Sequence, residues 1–216
     1  MPSLGEEKRK KRKEVIFQAA VELFNRKGFS ETTMKEIAER TDFAVGTLYN
    51  YFRSKNQLLL EIIASKFEEI QYSTEDHFLR IAHTEDNPKK ILSPFFRMLI
   101  KEFSFLNKQS WLTMFLAMFS SSHFMDQGFQ LNMEMIALLE KILKIIKTRG
   151  LIRAELDCKT TAFSLYSVFI FSFMGYIYYE EYSREELMSV LDQQLDILLY
   201  GLLDEGIVKE SKGESL

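Results

Sequence analysis

Apolar side chains recur at intervals of three and four along the chain, and shifts in the phase of that recurrence divide it into helices. Val15, Ile16, Ala19, Ala20, Leu23 and Phe24 form the inward stripe of a first helix, which Gly28 ends as a residue suited to left-handed backbone. Thr33 and Glu36 have the spacing of a capping box, so a second helix starts there. It buries Met34, Ile37, Ala38 and Thr41 and leaves Lys35, Glu36, Glu39 and Arg40 to water. Asp42 suits a turn, and from Val45 the apolar set restarts out of phase with Leu48, Tyr49 and Phe52. Two short helices about a tight turn describe a helix-turn-helix.

Ser54 and Gln57 make a second capping box, from which Leu58, Leu59, Ile62, Ile63, Phe67 and Ile70 carry a long helix onward. Residues 75 to 90 are polar, with Asn87-Pro88 as a new helix start; Ser93-Pro94 is either a second start or a kink. Met135 to Lys147 continues as a helix that Gly150 stops, and Asp157 is the N-cap of the next. Thr160 to Tyr179 then runs without a charge, followed by a last stripe of Leu187, Val190, Leu191, Leu195, Leu198, Leu199 and Leu202. The expected class is all-α. Residues after Asp204 read as a frayed tail.

Composition narrows the function. A chain of 216 residues that is 46% apolar can bury a sizeable core as one large or two small domains, and the single Cys158 fits a reducing cytoplasm. Net charge is only −3, but its distribution is uneven. Residues 1 to 55 hold 12 Lys and Arg against 8 Asp and Glu; the remainder holds 16 against 23. The basic end is the end with the helix-turn-helix. Lys8, Arg9, Lys10, Lys11, Arg12 and Lys13 form an unbroken basic run there, either a solvated arm or a contact for phosphates or a minor groove. The second short helix turns an uncharged outer face of Gly46, Thr47, Asn50 and the edges of Tyr49 and Tyr51. Gly46 there permits close approach of a DNA strand, or else packs against a neighbouring helix. Lys55, in the first turn of a capped helix, marks a phosphate site.

Between Phe95 and Met135 lie nine aromatics (Phe95, Phe96, Phe103, Phe105, Trp111, Phe115, Phe119, Phe124, Phe129) and six methionines (Met98, Met114, Met118, Met125, Met133, Met135). Such a stripe is either ordinary core or the lining of an apolar pocket. A search for catalysis finds no Gly-rich phosphate loop and no paired cysteine, and His77, His83 and His123 lack the spacing of a helical metal pair. No cofactor, metal or enzymatic activity is expected. The uncharged Thr160 to Tyr179 segment is long enough to span a bilayer. Its serines and tyrosines, and the lack of a second span or basic flank, instead make it a helix buried on several sides.

The order T-T-x-x-x-I-A, G-T-L-Y-N-Y-F and S-K-x-x-L from Thr32 to Leu58 resembles the DNA-binding region of the TetR family of transcriptional regulators. The segment from Gly150 to Asp157 resembles the same family's connection into its last two helices. The turn departs from the usual pattern, with Thr41, Asp42, Phe43 and Ala44 in place of Ala-Gly-Val-Ser, which removes an expected serine N-cap. The resemblance implies a basic arm and helix-turn-helix DNA-binding domain over residues 1–53, an effector-binding and dimerisation domain over 54–206 and a flexible tail over 207–216. It implies a cytoplasmic homodimer on a palindromic double-stranded operator, most often a repressor, with its last two helices forming half of a four-helix bundle. Expected DNA contacts are Lys11, Arg12, Thr33, Val45, Gly46, Thr47, Tyr49, Asn50, Tyr51 and Lys55. An apolar or aromatic effector is expected among Met98, Phe103, Trp111, Phe115, Met118, Phe119, Phe169, Phe173 and Tyr176, its signal carried by the long helix that starts near Ser54. The alternative is a ligand-binding or scaffold protein of this fold that lacks operator recognition.

Overall fold

The computed structural model describes residues 4–118 and 122–200. Among the described residues the ordered elements are all helices: α1 (Leu4–Lys27), α2 (Met34–Arg40), α3 (Val45–Tyr51), α4 (Lys55–Thr84), α5 (Pro88–Phe103), α6 (Lys108–Met118), α7 (Ser122–Thr148), α8 (Cys158–Tyr178) and α9 (Arg184–Tyr200). The expected tail, together with Leu202, lies outside them.

The basic run is the opening of α1, not an arm. Glu6 and Glu7 in its first turn complement the helix dipole ahead of the lysines and arginines. Ile16, Ala19, Ala20, Leu23 and Phe24 are buried, but Val15 is 46% exposed, because it sits one position off that stripe. Gly28 follows the last turn at φ +89°, and the Gly28 amide donates to the Phe24 carbonyl at 3.0 Å.

The capping box of α2 forms at both ends, the Glu36 amide donating to Thr33 Oγ1 at 3.2 Å and the Thr33 amide to Glu36 Oε2 at 2.8 Å. Asp42 turns the chain with φ 55°, a left-handed conformation that Asp tolerates better than most residues. Ala44 caps α3 without a side-chain bond, as the missing serine implies. The box expected at α4 closes differently. Ser54 does accept from the Gln57 amide at 3.1 Å, but Gln57 Oε1 takes the Arg53 amide at 2.8 Å instead of the N-cap amide.

Beyond the head, α4 runs through the polar stretch as far as Thr84, since Phe78 and Ala82 prolong its buried stripe. Asn87 caps α5, whose buried face continues past Pro94 as Phe95, Phe96, Leu99, Ile100 and Phe103, so Ser93-Pro94 does not begin a new element. Asp157 caps α8 through the Thr160 amide, at 2.8 Å. By length and composition α8 is apolar enough to cross a membrane, yet Ala162, Leu165, Tyr166, Phe169, Phe173 and Ile177 are buried in the protein core.

Cationic side chains close several of the joints. Lys108 Nζ donates to the carbonyls of Tyr179, Glu180 and Tyr182 at 2.9, 3.1 and 2.6 Å, fastening the start of α6 to the end of α8. Arg149 does the same for the end of α4, reaching the Ala82 and Glu85 carbonyls at 2.7 and 2.6 Å. The neighbouring Asn107 faces the head: Asn25 Nδ2 donates to the Phe105 carbonyl at 2.8 Å, the Asn107 amide to Asn25 Oδ1 at 2.8 Å, and Asn107 Nδ2 to the Phe24 carbonyl at 3.0 Å. The end of α1 and the end of α8 are thus held by two consecutive residues, Asn107 before α6 and Lys108 at its start.

Candidate nucleic-acid interface

Helix α3 owes its position to two residues four apart. Leu48 and Phe52 are fully buried against the other head helices, and Tyr51 is half-buried beside them. Val45 and Tyr49, expected to join that stripe, are 36% and 51% exposed. In a helix of only seven residues they fall on the adjoining outward face. Together with Gly46 and Asn50, both exposed, and the half-buried Thr47, they form one uncharged surface. A Cβ added at Gly46 would meet nothing within 4 Å, so the packing reading of that glycine is wrong and its surface is open.

Along one side of this surface runs the basic opening of α1, whose residues divide by contact. Arg9, exposed, and Lys13, half-buried, are four apart and lie over rings at the end of α3: the Arg9 guanidinium lies 5.8 Å from the Tyr51 ring centre and Lys13 Nζ 5.5 Å from that of Phe52. Lys8, Lys11 and Arg12 are also exposed. Lys13 Nζ also donates to Glu61 Oε2 at 2.6 Å. Gln57 Nε2 donates to the other Glu61 oxygen at 3.1 Å and accepts from the Arg53 amide, so a continuous chain of bonds joins α1, α4 and the α3–α4 corner. Sequence spacing alone did not single out Arg9, Lys13 or Glu61; the (i, i+4) pairing of cations opposite Tyr51 and Phe52 was the signal.

Two of the expected DNA contacts carry structural duties. Thr33 is exposed, but its hydroxyl serves the α2 cap. Lys55 Nζ donates to the carbonyls of Phe29, Ser30 and Thr32 at 2.5, 3.0 and 2.6 Å and sits 4.4 Å from the Phe29 ring centre. Its donors are committed to the α1–α2 connection, and burial pushes its pKa below the ordinary lysine value. Lys27, with Thr33 beside it, draws the Glu36 carboxyl down to about 2 from an ordinary 4.5.

The expected effector residues are brought together as a packed aromatic cluster. Phe103, Trp111, Phe169 and Phe173 are buried, with ring centres 5.2 Å apart for Phe103 and Trp111, 5.3 Å for Phe103 and Phe173 and 6.0 Å for Phe169 and Phe173. Met98, Phe115 and Tyr176 pack half-buried against it, and Lys108 Nζ sits 4.2 Å from the Tyr176 ring centre. Phe119 and the side chain of Met118 lie outside the described residues. A concave surface not expected from the sequence runs along α7, where Met125, Phe129, Met133 and Ala137 present apolar atoms between Asp126, Gln130 and Glu134.

Residues 16–62 match the family model of the bacterial regulatory proteins of the tetR family. Over 72 residues the chain is 39% identical to the HTH-type transcriptional repressor KstR of Mycolicibacterium smegmatis, covering 33% of this chain and 35% of that protein. This and the matching KstR repressors of two other organisms are thus spanned over about a third of their length (35%, 32% and 33%). An uncharacterized HTH-type regulator of Bacillus subtilis, YdgC, is 26% identical over 216 residues, 95% of this chain and 98% of its own. Among solved structures, Thermus thermophilus FadR, a TetR-family transcriptional repressor in complex with lauroyl-CoA, superposes with a TM-score of 0.68 at 25% identity. That superposition covers 89% of this chain and 96% of the other.

Two measurements probe the head itself. Lys55→Met keeps the apolar stem against Phe29 and leaves three carbonyls without their donor, so the head should lose about 1–3 kcal/mol of stability, read from urea unfolding. Unchanged stability with DNA binding that is weaker and less salt-dependent would return Lys55 to phosphate contact. Because the Glu36 pKa is depressed on folding, its contribution is complete above the unfolded value near 4.5 and fades as pH falls toward about 2. Over that window Glu36→Gln should flatten the decline of the urea midpoint relative to wild type; parallel declines would contradict the assignment.

Proposed function

We propose that the chain is a transcriptional regulator of the TetR family that represses transcription by binding a palindromic operator as a homodimer and is released by an apolar small molecule. The observation that carries the reading is the uncharged, open surface of α3 beside the exposed cations of α1. Phosphate attraction comes from Lys11 and Arg12 and is indifferent to sequence. Base readout comes from α3: Asn50 offers an amide suited to adenine, and the methyls of Val45 and Thr47 suit the thymine methyl. Gly46 lets the backbone approach the groove, with Tyr49, Tyr51 and the α2 cap at Thr33 bordering the phosphates. Residues 1–53 serve as the reading head and 54–206 as the sensor and dimerisation region, in a cytoplasmic regulator without catalytic activity.

Two further observations support the finer parts. Helices α8 and α9 turn exposed Phe163, Phe171, Tyr178, Ile197 and Leu198 outward, apolar surface that a second copy would cover. For the effector, the methionine-rich and aromatic region beside α6 and α7, together with the lauroyl-CoA held by the Thermus thermophilus protein, makes a long-chain acyl thioester the first class to test. The Phe103, Trp111, Phe169 and Phe173 cluster is packed in this structure, so a ligand there must part these rings and thereby favour a different arrangement of α6 and α8.

Selection of duplexes from a random pool by the ligand-free protein should return an inverted repeat, and Asn50→Ala should lose preference at one A·T pair per half-site, by about five- to a hundredfold. Equal weakening on all duplexes would make Asn50 a positioning residue, and no enrichment at all would favour the ligand-binding or scaffold reading. Lauroyl-CoA added to the protein–duplex complex should raise the apparent Kd. Saturable binding of lauroyl-CoA that leaves DNA affinity unchanged would remove the effector part of the proposal.

A further inference from the structure

We propose that Glu61, an acidic residue near the start of α4, is a positioning residue for DNA binding, and that Lys13 acts as its partner and not as a phosphate ligand. The inference rests on the operator-binding reading above, which assigns DNA contact to the neighbouring helices but gives no role to either residue. Its basis is the bonded chain across the head. Each Glu61 oxygen has a different partner, Lys13 Nζ from α1 at 2.6 Å and Gln57 Nε2 at 3.1 Å. Gln57 in turn accepts from the Arg53 amide at 2.8 Å, which fixes the corner where α3 passes into α4. The same Lys13 ammonium lies over the ring of Phe52, the fully buried C-cap residue of α3. One carboxylate therefore sets both the lateral position of the basic opening of α1 and the exit angle of α3.

The basic run is divided accordingly. Lys8, Lys10, Lys11 and Arg12 are exposed with no ring beneath them, whereas the exposed Arg9 and the half-buried Lys13 lie over Tyr51 and Phe52. The first group attracts phosphate, and the second holds the helix that carries the first against α3. A charge argument gives the opposite expectation for Glu61. A carboxylate beside a polyanion repels it, so removing the charge should tighten binding if that were its main effect. The geometry assigns the larger effect to alignment, because loss of the Glu61 carboxylate releases both Lys13 of α1 and the Gln57 side chain. Sub-ångström displacement of groups that must meet successive phosphates and bases lowers affinity on every duplex and specificity on the right one.

The test uses the full-length protein and the duplex enriched by wild type, with Glu61→Ala, Glu61→Gln, Lys13→Met and the exchange Lys13→Glu with Glu61→Lys. Glu61→Ala should raise Kd about five- to tenfold, the size typical of a broken coupled pair. Glu61→Gln keeps an acceptor and should fall between Ala and wild type, and the exchange should recover most of the loss. Lys13→Met should weaken binding without reducing the slope of log Kd against log salt, whereas a phosphate contact would lower that slope by about one. Hydrogen exchange at the Arg53 amide, measured without DNA, should accelerate in Glu61→Ala, a readout independent of any operator. Tighter binding in both Glu61→Ala and Glu61→Gln, or a reduced salt slope in Lys13→Met, overturns the proposal. If Glu61→Ala loses helical signal at the assay temperature, the Gln variant and the exchange decide in its place. A wild-type protein that enriches no duplex removes the operator-binding reading itself; faster exchange at Arg53 alongside tighter binding removes only the positioning claim.

Discussion

Seven residues make an α-helix of two turns, and helices that short do not persist in water without tertiary support. Both α2 and α3 have this length, so the outward surface of α3 exists only because other parts of the chain hold it. The Lys55 ammonium is central to that support, since it gathers the carbonyls of Phe29, Ser30 and Thr32 from the segment entering α2 while belonging to the helix that leaves α3. Around this tie lie the fully buried Leu48 and Phe52, the reciprocal cap of Thr33 and Glu36, and the ion pair of Lys27 with Glu36. The head is thereby oriented by the first turn of α4, and it cannot ignore a displacement of that turn.

A second mechanical link runs through the α5–α6 connection. Asn107 exchanges amide hydrogen bonds with the end of α1, and Lys108 gathers the carbonyls at the end of α8. Four residues into α6, Trp111 joins the aromatic cluster and donates to the Phe103 carbonyl at 2.7 Å. An event that parts those rings therefore acts on a helix whose start is fastened both to the head and to the helices whose outer faces are apolar. Coupling through such a joint needs no long conduit, only a helix with two packings and fixed attachments at its end.

Much of this was legible in the sequence because it rests on short-range chemistry. Thr33 with Glu36, Asn87 before Pro88, Asp157 three residues before Thr160, and the glycines at 28 and 150 are local signals, and each forms the boundary its spacing implies. The aromatic positions from Phe95 onward were equally visible as a cluster. What periodicity could not supply was direction. Val15, Val45 and Tyr49 lie within an arc of their stripes yet face outward, because the neighbouring helices cover only part of that arc. Nor does a lysine reveal its partner: Lys55 reads as a free cation at a helix start until the fold brings the loop after Gly28 across it, and Lys13 reads as one of six alike. Long-range partners depend on the packing of whole elements, which residue spacing along one element does not encode.

Gly46 sits inside a two-turn helix with empty space where a side chain would be. An alanine there would fit without a clash and would favour the helix by about 1 kcal/mol. The packing of the head therefore does not require the glycine. One added methyl group would steady α3 and, at the same time, raise the one low point of its outer face. Stability and the contour of that face are thus tied to a single position.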